Sequence, residues 1–281
     1  MTREIMTRIQ LSRLKISSAR NYISRQTDAV HLRSASVTAF LALRIRWIAH
    51  AWLALVGIAA LLKIAGSRTP VHGVRDFAIM CLPFLLIMVA PIGGYWAASG
   101  SFPLGKATQQ PQFRLAIYGR WRDVGVFEAR RDPGYGPAGF MTSLLIGLML
   151  NIPMRFLEYI AAVPAVSGDV PPWVHPIVWS MAVDVSAMSF LYAACFVMAL
   201  RSIPLFPRML AYVWLLDVVA QLCIAEFVIR KGHVPFAVAG AMQDLLTGNI
   251  NKVLISIFIW LPYLLLSARV NLTYRNRVRI A

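Results

Sequence analysis

Carboxylates are scarce in this chain. Only 12 Asp and Glu stand against 28 Lys and Arg, a formal charge of +16 over 281 residues. Charged residues of either sign reach just 14%, too few to clothe a soluble domain of this length. Cysteine is rarer still. Cys81, Cys195 and Cys223 all fall inside apolar runs without CxxC spacing, so they read as small packing residues and argue against a disulfide framework or a thiolate metal site. His72, His175 and His233 stand far apart, and His50 has no partner histidine at matching depth in another apolar run, which leaves no haem or metal pattern. GxSxG, HExxH, P-loop and dinucleotide fingerprints are all missing. A non-enzyme without metal or cofactor is the expectation.

What the chain has in abundance is apolar length. Hydrophobic residues make up 58% of it, and mean hydropathy is +0.63, values that belong to a polytopic membrane protein. A helix needs about 20 apolar residues to cross the roughly 30 Å hydrocarbon layer. Segments 47–65, 77–98, 139–162, 176–200, 209–229 and 253–268 meet or approach that length. The last is short, with Lys252 and Arg269 placed to snorkel at its ends. The predicted fold is therefore an all-α integral membrane protein with six transmembrane helices.

Basic residues also set its orientation. On one side fall the N-terminal arginines through Arg46, then Lys106, Arg114, Arg120, Arg122, Arg130 and Arg131, then Arg201 and Arg208, and finally Arg269, Arg275, Arg277 and Arg279. The opposite side has only Lys63, Arg68, Arg75, Arg155, Arg230, Lys231 and Lys252. The positive-inside rule puts both termini in the cytoplasm. Flanking cations of this kind anchor helices against anionic lipid, so the partners expected are membrane lipids and other membrane subunits, not nucleic acid.

Four regions follow. Residues 1–46 form a basic tail, read as a loose cytoplasmic segment, with an interfacial helix or a targeting segment as alternatives. Residues 47–98 form a two-helix hairpin. Residues 99–137 form a basic cytoplasmic loop punctuated by Gly and Pro, in which 113–128 suits either a strand pair or a surface helix, and Arg120, Trp121 and Arg122 suit a headgroup anchor. Residues 138–281 supply four more spans and a basic tail. An outer loop is expected at 232–251.

The final span carries Ile259, Trp260, Leu261, Pro262 and Tyr263, then Ser267, Arg269, Val270, Thr273 and Tyr274. With the Gly139-led third span and the turn Phe206, Pro207 and Arg208, this ending resembles a small four-helix bacterial inner-membrane family, domain of unknown function 2569. The likeness covers residues 134–281 and leaves 1–133 outside. It implies a four-helix membrane fold in a bacterial inner membrane, and no reaction. Read physically, Pro262 removes a backbone donor and bends the span, Trp260 and Tyr263 share one face, and both serve with Arg269 as interface anchors.

Ionisable residues inside a membrane are costly and point to function. Asn151, Arg155 and Glu158 share one face of the third span, Asp184 lies at depth in the fourth, and Asp217 and Gln221 share a face of the fifth. They are expected to form one polar cluster, with Arg155 meeting Asp184 or Glu158. Two functional classes follow. One is a non-catalytic accessory, assembly or scaffold subunit of a membrane complex. The other is a small transporter or lipid-handling protein with this cluster as its site.

Overall fold

A computed structural model describes residues 2–67, 69, 71–103, 108–112, 119–168, 170–230 and 234–280, with side chains from Arg33 onward. Lys106, Arg114, Arg68, Lys231 and His233 lie outside it.

The chain is an all-α membrane protein. Helix α1 spans Thr2–Ala65, α2 Val74–Ser101, α4 Phe140–Ala162, α5 Val174–Leu200, α6 Phe206–Arg230 and α7 Phe236–Leu266. Each contains a stretch long and apolar enough to cross a bilayer, in α1 within residues 33–65. Between α2 and α4 lie the strand β1, Trp121–Asp123, and the one-turn helix α3, Val126–Arg131. After α7 come α8, Ala268–Arg275, and the strand β2, Arg277–Arg279.

Helix α5 is the core of the bundle. It packs against α2, α4 and α6, and residues 192–199 are buried on every side, as an all-round apolar helix should be. Two-thirds of its apolar window is buried (67%), against 17% in α1 and in α7, so those two helices lie at the rim. Small residues let α2 lie close: a β-carbon placed on Gly94 would stand 2.1 Å from the Phe190 carbonyl oxygen of α5. This is how membrane helices pack when water supplies no drive for their association. Helix α1 is held to α2 by Trp52 Nε1, which donates to the Met88 carbonyl at 2.9 Å, and to α4 by Lys63 Nζ, which donates to the Ile160 carbonyl.

One end of the bundle gathers the basic connections. Gly139 N donates to Ser34 Oγ at 2.7 Å, tying the start of α4 to the near end of α1's span. Arg201 Nη1 donates to the carbonyls of Ser99 and Phe102, capping the end of α2 where its carbonyls lack partners. Tyr274 of α8 donates to the Ala199 carbonyl at 2.8 Å. Strands β1 and β2 pair antiparallel, with Trp121 opposite Arg279 and Asp123 opposite Arg277. Both ends of the membrane domain therefore lie on one side, as six crossings require. Asn276 turns the chain from α8 into β2 with φ of 49°, a left-handed conformation that asparagine tolerates.

Three expectations need correction. The N-terminal segment is not a loose tail: its backbone is helical from Thr2, and α1 contains no proline and no glycine before Gly57. The last span is not confined to 253–268. Helix α7 starts at Phe236 and takes in most of the expected outer loop, because no proline interrupts it before Pro262 and Asn249 finds a polar partner indoors. At 31 residues it is about 46 Å long, well over the hydrocarbon thickness. The C-terminal segment is not a free basic tail either, since residues 270–275 of α8 are buried beneath the bundle.

Four of the proposed anchors, Trp121, Arg122, Trp260 and Tyr263, find partners within the protein. Trp121 is half-buried in the β pair, Arg122 reaches Glu128 at 3.2 Å, and Arg120 is exposed. Trp260 and Tyr263 pack on Phe140 of α4, with ring centroids 4.7 and 4.9 Å apart. Arg269 is half-buried and its Nε lies 3.8 Å from where a Gly139 β-carbon would stand. Burial and the neighbouring charges of Arg277 and Arg208 push the Arg275 guanidinium down to about 10. Its Nη1 donates to the Leu264 carbonyl at 2.9 Å, closing the last turn of α7.

Candidate functional site

The spacing in α4 puts Asn151 and Arg155 one turn apart on its inner face. There Asn151 Oδ1 accepts from Arg155 Nε at 3.1 Å, which turns the guanidinium away from its own helix toward α5 and α6. Arg155 Nη1 donates to Asp184 Oδ2 of α5 at 3.2 Å. Its Nη2 donates to both carboxylate oxygens of Asp217 of α6. The guanidinium carbon also lies 5.8 Å from the centre of the Tyr192 ring, within cation–π range. Three spans thus converge on one cation.

Further donors from α5, α6 and α7 complete the cluster. Tyr192 donates its hydroxyl to Asp217 Oδ2 at 2.7 Å. Gln221, one turn beyond Asp217 on α6, donates to Asp184 Oδ2 at 2.9 Å, and its own oxygen accepts from Asn249 of α7 at 3.3 Å. Exposures are 6% for Arg155 and Asp184 and 0% for Asp217 and Gln221, so these charges sit in a low dielectric and depend on each other for neutralisation.

Five of the expected residues, Asn151, Arg155, Asp184, Asp217 and Gln221, come together. Glu158 does not join them. It lines the cleft beside them but pairs with Lys252 of α7 and not with Arg155, because the surface lies within two turns and a carboxylate there is better solvated. Lys252 in turn reaches Asn249 Oδ1 at 3.4 Å. Tyr192, Asn249 and Lys252 are the members that sequence spacing misses. Tyr192 stands in an unbroken apolar run, Asn249 falls in what reads as a loop, and Lys252 reads as a snorkelling end of the last span; only the continuation of α7 brings the last two in. Glu226 stays outside and pairs with Arg230 at 2.6 Å on the exposed side of α6.

A cleft of about 260 Å³ adjoins the cluster between α4 and α7, and Asn151, Arg155, Tyr192, Asn249 and Lys252 contribute to its lining. Its apolar rim includes Leu150 and Met154, both more than half exposed at mid-span. It therefore opens sideways, toward the acyl chains. The two helices touch at its ends, through Glu158 and Lys252 above and through Phe140, Trp260 and Tyr263 below. Among the described residues, no group of three or more His, Cys, Asp or Glu is placed to hold a metal ion.

No family model matches this chain, and no curated protein or solved structure matches it.

Proposed function

We propose that this protein is a small carrier or lipid-handling protein that admits the polar head of an amphiphile into the cleft between α4 and α7. The observation that carries this reading is the pairing of a sideways opening with a polar floor. An apolar gap between two helices would simply fill with acyl chain, and a buried ion network with no gap would simply hold helices together. Here Asn151, Tyr192, Asn249 and Lys252 present donors and acceptors to a space that lipid can reach, an arrangement that fits a ligand with one wet end and one dry end. No covalent chemistry is needed, in keeping with the missing nucleophile and base motifs. The charge pattern supports cytoplasmic termini, and the likeness at Ile259 to Tyr274 supports a bacterial inner membrane.

The test is photolabelling in nanodiscs with a phospholipid carrying a photoreactive acyl chain. Labelling is expected to concentrate on Leu150, Met154 and Ser256, and to fall when Gly147→Trp fills the cleft. Even labelling of these residues and of the exposed face of α6 would reject the reading.

A second reading, an accessory or assembly subunit, draws on α1. Its helical backbone begins at Thr2, well ahead of the apolar run that starts near Trp47, and the sequence of that first part is basic. Purification in mild detergent with mass spectrometry decides it: one recurring companion that is lost when residues 2–32 are removed supports it, and none counts against it.

A further inference from the structure

The buried cluster holds one guanidinium and two carboxylates, and the two are treated differently. Asp217 receives Arg155 on both oxygens and Tyr192 on one. Asp184 receives Arg155 and Gln221 on the same oxygen, Oδ2. Its Oδ1 is buried and has no hydrogen-bond partner. A carboxylate oxygen that bears charge, lies out of water and lacks a donor is costly in a membrane protein. Two ionised carboxylates would also leave the site with a net negative charge beside a single cation.

The other ionisable groups near Asp184 give no relief. Helix α4 brings Arg155, already shared with Asp217, and α6 brings Asp217 itself. On α5 the nearest titratable side chain of the cluster is Tyr192, whose proton goes to Asp217. Helix α2 packs on α5 with no Asp, Glu, Lys, Arg or His between Asp76 and Ser101, only Cys81 and Tyr95. Helix α7 connects through Asn249 to Lys252, whose charge is met by Glu158.

We propose that Asp184 is a proton-binding site, held as the neutral acid with its proton on Oδ1, and that Asp217 is the permanent counter-ion of Arg155. The bond patterns fit this division. In the acid, Oδ2 is the carbonyl oxygen, an acceptor for the two donors that point at it, while Oδ1 becomes a hydroxyl. The site is then neutral: one cation, one anion, one acid. Release is a simple dissociation, in which the O–H bond breaks, the electron pair stays on Oδ1 and the proton leaves.

The proton stands on the charge count and needs no assumption about the cleft. One consequence does rest on the carrier reading. Gln221 is held by Asn249, which lines the cleft. A ligand that draws Asn249 away frees Gln221 and changes the donors on Oδ2, so cleft occupancy and proton affinity are coupled.

Infrared spectroscopy of the full chain in nanodiscs at neutral pH tests the proposal. A carboxylic-acid C=O band is expected in the wild type and should vanish in Asp184→Asn. Because Arg155 ionises whichever carboxylate remains alone with it, loss of the band does not by itself assign the proton. Two milder variants do. Gln221→Leu removes a donor from Oδ2 and should move the band to higher frequency, whereas Tyr192→Phe, which removes only the hydroxyl that donates to Asp217 and keeps the ring beside Arg155, should leave it in place. No acid band in the wild type would overturn the proposal, as would a band that survives Asp184→Asn. A band that moves with Tyr192→Phe and ignores Gln221→Leu would place the proton on Asp217 and reject it equally. None of these outcomes depends on lipid labelling of the cleft, so the two ideas fail separately.

Discussion

At the scale of single residues, Arg155 is where most of the polar energetics meet. Replacing one partner of a buried ion pair leaves the other charged and unmet, at a cost of about 3–5 kcal/mol. Arg155→Leu is expected to lower stability by that order, read as the midpoint of thermal or denaturant unfolding in detergent. Adding Asp217→Leu should restore most of the loss, because the site then has no uncompensated charge. A double variant no more stable than the single one would contradict the geometry. Tyr192→Phe removes one hydrogen bond to a carboxylate and is expected to cost about 1.5–3 kcal/mol in the same assay. Sequence spacing reached Asn151, Arg155, Asp184, Asp217 and Gln221, since a polar side chain in an apolar span must face its neighbours. It could not say that Asp217 takes the larger share of Arg155 or that Glu158 turns to Lys252. Those choices are made by which helices touch, and periodicity within one helix carries no record of that.

At the scale of elements, the closeness of α2 and α5 is the feature most exposed to test. Gly94→Ala would put a methyl against the Phe190 backbone, which cannot move without parting the helices, so a loss of about 1–3 kcal/mol is expected. Gly240→Ala in α7 meets nothing within 4 Å and should be neutral or gain up to about 1 kcal/mol from helix propensity. The comparison of the two unfolding midpoints separates packing from a general effect of glycine loss. The spans themselves were legible because hydropathy runs are long. Their ends were not. Asp244, Asn249, Asn251 and Lys252 depress hydropathy in the first half of α7, yet a rim helix with polar partners accommodates them. Likewise β1 could not be matched with β2 from sequence, because strands of three residues leave no periodic signal and their partner lies on the far side of four spans.

At the scale of the whole molecule, alternation of charge across successive connections proved sufficient to place both ends of the membrane domain on one side, and the contacts of Ser34, Arg201, Tyr274 and the β pair lie on that side. Reporter fusions check the orientation. A fusion after residue 279 should show the behaviour of a cytoplasmic reporter, and one placed at residue 168, between α4 and α5, that of an external one. The reverse pattern would invert the topology. Removing residues 276–281 should expose the chain around Arg120 and Arg122 to trypsin in inside-out vesicles, because β1 loses its only described strand partner; unchanged cleavage would show that β2 does not hold it.

That pairing has a consequence in time. β2 leaves the ribosome after all six spans, while β1 has waited on the same side of the membrane since the first hairpin was inserted. The seam between them closes last, so its protection against cleavage reports that all six spans have been threaded.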